Sequence, residues 1–120
     1  MESAVQEIER FVTQWNNVTV HPHRFGGIEF RLGKRELGHL HGNRILDVPF
    51  PMKVRNQLVA DGKAEPHHIL PESGWITFRL HSEDDTQRAI DLLQLSYELA
   101  LTAAQRRTHS FNISTEQQHL

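Results

Sequence analysis

The most constraining stretch of the chain is IEFRLGKRELGHLH, residues 28–41. Ile28, Phe30 and Leu32 alternate with Glu29 and Arg31, the two-residue period of a strand with one buried face. Gly33 and Lys34 then supply a two-residue turn before residues 35–41 return. Such a turn fixes a register, with Phe30 opposite Leu37, Ile28 opposite His39 and Arg31 facing Glu36. On that register His39 and His41 share the apolar face with Ile28, Phe30 and Leu37, away from Glu29 and Arg31. Gly42 and Asn43 form a second tight turn into residues 44–48, which sets Leu46 opposite His39 and Asp47 opposite Gly38. The expectation is a three-stranded antiparallel meander.

The flanks add helices and one more hairpin. Ser3 followed by Gln6 has the spacing of a capping box, and Val5, Ile8, Phe11, Val12 and Trp15 recur at helical spacing, predicting a helix to about Trp15. Val18 and Val20 flank Thr19 as a short strand ending near His21 and Pro22. Pro51 suits the first turn of a short helix carrying Val54, Leu58 and Val59 before Gly62. Residues 64–70 and 75–80 read as extended runs joined by the turn residues Pro71, Glu72, Ser73 and Gly74, a second hairpin. Ser82 followed by Asp85 opens the last helix, whose stripe of Ile90, Leu93, Tyr97 and Ala104 runs to about Arg107. The predicted class is α+β, a two-layer sandwich with a largely antiparallel sheet packed on helices. Residues 1–107 form one domain, and residues 108–120, polar and aperiodic, form a flexible tail.

Composition narrows the function classes. At 120 residues the chain can bury one core. With 13 Lys+Arg against 15 Asp+Glu it has no global basic field to attract phosphate backbones, which argues against nucleic acid as a partner. The absence of cysteine excludes disulfides, thiolate nucleophiles and thiolate metal sites within this chain, and leans the expected compartment to the cytoplasm. No apolar run approaches the roughly 20 residues of a membrane span, so no membrane partner is expected.

The blocks RFGGIEFRLGKRELGHLHGN, LDVPFP, LVADGKAEPHHILPESGWITFRL and SYELA together resemble a family of small bacterial domains called the luciferase family or luciferase domain. The resemblance covers about three quarters of the chain. It implies a family and not light emission, since no residue pattern points to a flavin, a luciferin pocket or a reaction with oxygen. More distantly, GWITFRL leading into a helix that ends SYELA is similar to the MmcQ/YjbR group. That likeness implies a sheet backed by helices in a double-wing arrangement.

Histidine is the compositional anomaly, with 9 copies. His39 and His41 lie one residue apart on a strand, so both rings can point the same way, as paired metal ligands must. His67 and His68 add nitrogens from the second hairpin, giving a candidate metal set of His39, His41, His67 and His68. Glu65, Asp47 and Trp75 join them as candidate ligand-binding residues. Nitrogen and oxygen donors of this kind suit zinc, iron, nickel or manganese. The alternative for His39 is a half-buried histidine bonded to backbone, Asp47 or Glu65. His21 and His23 flank Pro22 at a strand end and read as solvated loop residues. No Gly-x-Ser-x-Gly context or phosphate-loop spacing occurs. The function expected is a small-molecule or divalent-metal binding domain, with enzymatic activity left open. The alternative is a protein or nucleic-acid binding module that uses the sheet face or hairpin tips.

Overall fold

A computed structural model describes residues 2–42 and 44–118, with side-chain surroundings as far as Thr108. Asn43, assigned from sequence to a turn, lies outside the described residues; Gly42 before it adopts φ +58°, a left-handed turn geometry.

Helix α1 spans Ala4–Val12 and begins as the sequence predicts. Ser3 Oγ accepts from Gln6 N at 3.1 Å while Gln6 Oε1 accepts from Ser3 N at 2.9 Å. Its Ile8 and Val12, one turn apart, are fully buried. Strands β1 (Val18–Pro22), β2 (Ile28–Leu32), β3 (Arg35–His41) and β4 (Ile45–Pro49) follow as an antiparallel meander. Helix α2 (Met52–Ala60) leads to β5 (Glu65–Pro66) and β6 (Trp75–Arg79), and the last helix is α3 (Asp85–Gln118). The six strands run in the order β1-β2-β3-β4-β6-β5, so β6 slots beside β4 and leaves the two-residue β5 at the edge.

The predicted two-layer α+β sandwich is the observed architecture. One sheet face carries Phe30, Leu40, Leu46, Val48, Ile76 and Phe78, all buried in a core completed by Ile8, Val12, Ala89, Ile90 and Leu93 from α1 and α3. Ser96 of α3 is buried there too and donates to Leu37 O at 2.9 Å, tying helix to strand. Gly38 lies under α3, where a Cβ would stand 2.8 Å from Leu93 Cδ2 and 3.0 Å from Asp47 O, so a larger residue would force Leu93 to shift.

Three local expectations change. The second hairpin is strand only over Glu65–Pro66, and residues 67–74 leave the sheet and cross its other face. Helix α3 reaches Gln118, beyond the end near Arg107 that its apolar stripe predicts. No Gly or Pro follows Gly74 in the sequence to end it.

The third change is the register. Arg31 pairs with Glu36 as predicted, but Phe30 pairs with Gly38, which leaves Leu37 as an extra residue in β3. Beyond this bulge the β2–β3 partners shift by one, Ile28 pairing with Leu40 and Glu29 with His39, and the β3–β4 pairing is separately one residue off the expected register, Leu40 with Leu46 and Asp47 with His39. The placement of His39 on the apolar face with Ile28 and Phe30 is therefore overturned. A one-residue slip exchanges the two faces of a strand.

Candidate functional site

The slip turns the His-x-His pair onto the face away from the helices. That face carries Glu29 from β2, His39 and His41 from β3, Asp47 from β4 and Thr77 from β6, aligned by the pairings Glu29–His39, His39–Asp47 and Asp47–Thr77. Asp47 and Thr77 are completely buried, and His39 and Glu29 nearly so. A row of buried polar groups on a sheet face needs partners, because each unpaired group costs about 1–3 kcal/mol.

Two loops supply them. Residues 67–74 bring His67 and His68 over β4 and β6. The loop is held by Arg55 of α2, whose Nη2 donates to Pro71 O, by Phe50 N donating to Gly74 O at 3.0 Å, and by His68 N donating to Thr77 Oγ1 at 3.2 Å. His67 turns inward because its Nδ1 accepts from the backbone N–H of Ile69 at 3.1 Å and of Leu70 at 3.0 Å. On the other side the β1–β2 connection closes with His23 N donating to Gly27 O at 2.8 Å. It lays the His23 ring flat on His39, with centroids 3.9 Å apart.

The rings converge on one atom. His41 Nε2 lies 2.6 Å, His39 Nε2 3.2 Å, His68 Nε2 3.3 Å and His67 Nε2 3.5 Å from Asp47 Oδ2. Oδ1 of the same carboxylate accepts from Thr77 Oγ1 at 2.8 Å. An sp² carboxylate oxygen has two lone pairs, too few for four imidazole N–H groups. Behind the centre, two of the rings lean on further carboxylates. His39 Nδ1 is 2.8 Å from Glu36 Oε2 and His23 Nδ1 is 3.0 Å from Glu29 Oε1, while Arg31 Nε donates to Glu29 Oε2 at 2.8 Å.

Electrostatics follow the contacts. Burial opposes charge on His39, but hydrogen bonds and attraction from Asp47 and Glu36 outweigh it and push its pKa up to about 9. Burial also opposes charge on Asp47, and hydrogen bonds from His39, Thr77 and His41 prevail and hold its carboxyl well below the usual range. Hydrogen bonds from Arg31 and His23 lower Glu29. His67 goes the other way: its burial outweighs the pull of Asp47 and holds it below the ordinary histidine value.

Groups on this face could hold a metal ion. His41, Asp47 and His68 place their ligand atoms within 4.8 Å of one another, as do His23, His39 and His41. Four donors at zinc–nitrogen lengths of about 2.0–2.1 Å in a tetrahedron stand about 3.3 Å apart, close to the separations found around Asp47 Oδ2. The Nδ1 contact of His39 with Glu36 is the carboxylate support that ligating histidines commonly have.

Among the sequence candidates, His39, His41, His67, His68 and Asp47 meet at this centre. Trp75 stands beside it, its ring 5.2 Å from His39 and 6.1 Å from His67. Glu65 does not join them; it lies at the exposed edge with its Oε2 3.3 Å from Arg79 Nε. Sequence reasoning missed His23, which it left to solvent, and Glu36 and Thr77, which it gave no site role. His23 arrives on the β1–β2 connection, Glu36 meets His39 across the bulge, and the β4–β6 pairing sets Thr77 opposite Asp47. No helix among the described residues is long and apolar enough to cross a membrane.

The family described as luciferase domain matches residues 34–96, just over half of the chain. The matched segment holds Glu36, His39, His41, Asp47, His67, His68, Trp75 and Thr77, whereas His23 and Glu29 precede it. No curated protein and no solved structure matches the chain, so the likeness to the MmcQ/YjbR group finds no support there.

Proposed function

Since the chain belongs to the luciferase-domain family, we propose that the histidine-rich sheet face is the working site of this domain and that it binds one divalent transition-metal ion. The observation that carries the reading is the approach of three imidazole Nε2 atoms, from His39, His41 and His68, to within 3.3 Å of one buried carboxylate oxygen on Asp47. Asp47 Oδ2, His41 and His68 are the central ligands and His39 completes the set. Glu36 orients His39, Thr77 orients Asp47, and the stacked His23 ring limits the movement of His39.

Imidazole-rich donors with one carboxylate favour zinc, nickel, cobalt, iron or copper over magnesium and calcium. The ion would resolve the crowding at Asp47 by replacing shared protons with metal–nitrogen bonds, so binding releases protons and strengthens as pH rises. The side chains of His41 and His68 are 34% and 29% exposed, and they give the centre a solvent-facing side through which an external molecule can reach it. A small-molecule partner is thus a ligand of the bound ion.

The test is calorimetric titration of tag-free, chelator-stripped protein with zinc and cobalt(II), backed by elemental analysis after gel filtration. One ion per chain is expected, with loss of binding in Asp47→Asn and in His41→Ala. Stoichiometry near zero, or binding that both variants keep, would refute the reading.

A further inference from the structure

His67 faces the same carboxylate oxygen as the other rings, yet its bonding sets it apart. Its Nδ1 accepts two backbone N–H groups, from Ile69 and Leu70. A neutral imidazole carries one proton, and with Nδ1 committed as an acceptor that proton resides on Nε2. A nitrogen that keeps its proton has no lone pair for a metal. His67 Nε2 is also the most distant of the four, at 3.5 Å from Asp47 Oδ2. His39 is bonded in the opposite sense, its Nδ1 facing the Glu36 carboxylate and its Nε2 turned to Asp47 Oδ2, where it can ligate once its proton is displaced.

We propose that His67 is a fixed N–H donor rather than a metal ligand, and that it steadies an oxyanion, of carboxylate or phosphate type, bound to the metal on the solvent-facing side. This rests on the metal-site reading. Asp47 neutralises one of the two charges of a divalent ion and the ligating imidazoles none, so an anionic oxygen is the external ligand that the inner shell favours. Such an oxygen, bound to the ion next to Asp47 Oδ2, comes within reach of His67 Nε2, which stands 3.5 Å from that carboxylate oxygen. Trp75, packed near both His67 and His39, gives that position an aromatic wall. The loop is built to hold the donor still: Ser73 Oγ donates to Leu70 O at 2.7 Å and Arg55 bonds to Pro71 O.

The experiment is titration of the cobalt(II)-loaded chain with acetate, followed by the visible d–d spectrum, in the parent, His67→Asn and His67→Gln. Asparagine can still accept the two loop N–H groups but offers no donor at the Nε2 position, whereas glutamine can place an amide N–H there. His67→Asn is expected to keep cobalt affinity within about threefold and to bind acetate about tenfold more weakly, the size of one hydrogen bond to a charged group. His67→Gln is expected to recover part of the loss. Circular dichroism of the metal-free variants checks that both are folded. If His67→Asn loses cobalt as fully as His41→Ala, His67 is a ligand and the proposal falls. Unchanged acetate affinity in His67→Asn also overturns it, with the metal site intact. A parent chain that takes up no cobalt removes both readings, and that outcome is recognisable before any acetate is added.

Discussion

The two faces of the sheet use the same strands and reach order by different physics. On the helix side, Phe30, Leu40, Leu46, Val48, Ile76 and Phe78 pack in the core with residues of α1 and α3, and their burial is non-directional and tolerant of small shifts. On the loop side, Glu29, His39, Asp47 and Thr77 are buried almost as deeply, but under two short loops and with every group dependent on a specific partner. The first arrangement holds the fold together. The second costs desolvation and yields a cluster of buried polar groups held by specific partners, the pattern expected where a protein gives up packing for function.

The largest expected effects separate the faces. Leu40→Ala should cost about 2–5 kcal/mol in urea unfolding by opening a cavity under α3, and it should cost about the same with and without zinc. Asp47→Asn should cost less in the metal-free protein, about 1–3 kcal/mol for disrupting a buried network, while abolishing metal-dependent stabilisation. Equal zinc stabilisation in Asp47→Asn and the parent would erase the distinction between the faces.

A smaller effect concerns pH in the metal-free protein. His39 is raised from 6.5 to about 9 on folding, so its bonds to Asp47 and Glu36 contribute fully below pH 6.5, and that contribution is lost as pH climbs through about 9. His67 is lowered, so it has the opposite sign: its contribution is present above pH 6.5 and lost as pH falls toward the folded value. Urea midpoints measured from pH 5 to pH 9.5 should show the alkaline slope flattened in His39→Gln. An unchanged slope would mean that His39 is solvated. The smallest effect belongs to the edge. Glu65→Ala removes an exposed pair with Arg79, and should change stability by less than about 1 kcal/mol and leave zinc binding untouched.

Much of this contrast is legible in the sequence. The Gly33–Lys34 turn and the pairing of Arg31 with Glu36 follow from alternation and turn chemistry, and the one-residue spacing of His39 and His41 does put both on one face. The identity of that face is not legible, because a bulge adds one residue at Leu37 without any local signature. Gly38, read as a plain strand residue, is the nearest hint. His67 and His68 do come near the pair in space, within 3.5 Å and 3.3 Å of Asp47 Oδ2, but the route by which they arrive is a loop folded over the sheet. His23 enters from a connection whose conformation depends on Phe25 at φ +58° and Gly26 at φ +79°, and periodicity carries no information about it.

The most direct measurement is an anomalous difference map from a crystal of the tag-free protein grown with zinc and recorded at the zinc absorption edge. One peak per chain is expected about 2.0–2.2 Å from Asp47 Oδ2 and from the Nε2 atoms of His41 and His68, with His39 as the fourth protein ligand, one position open to an external ligand, and His67 beyond bonding distance. A peak only at surface histidines such as His21 or His81, or an empty sheet face at saturating zinc, would contradict it.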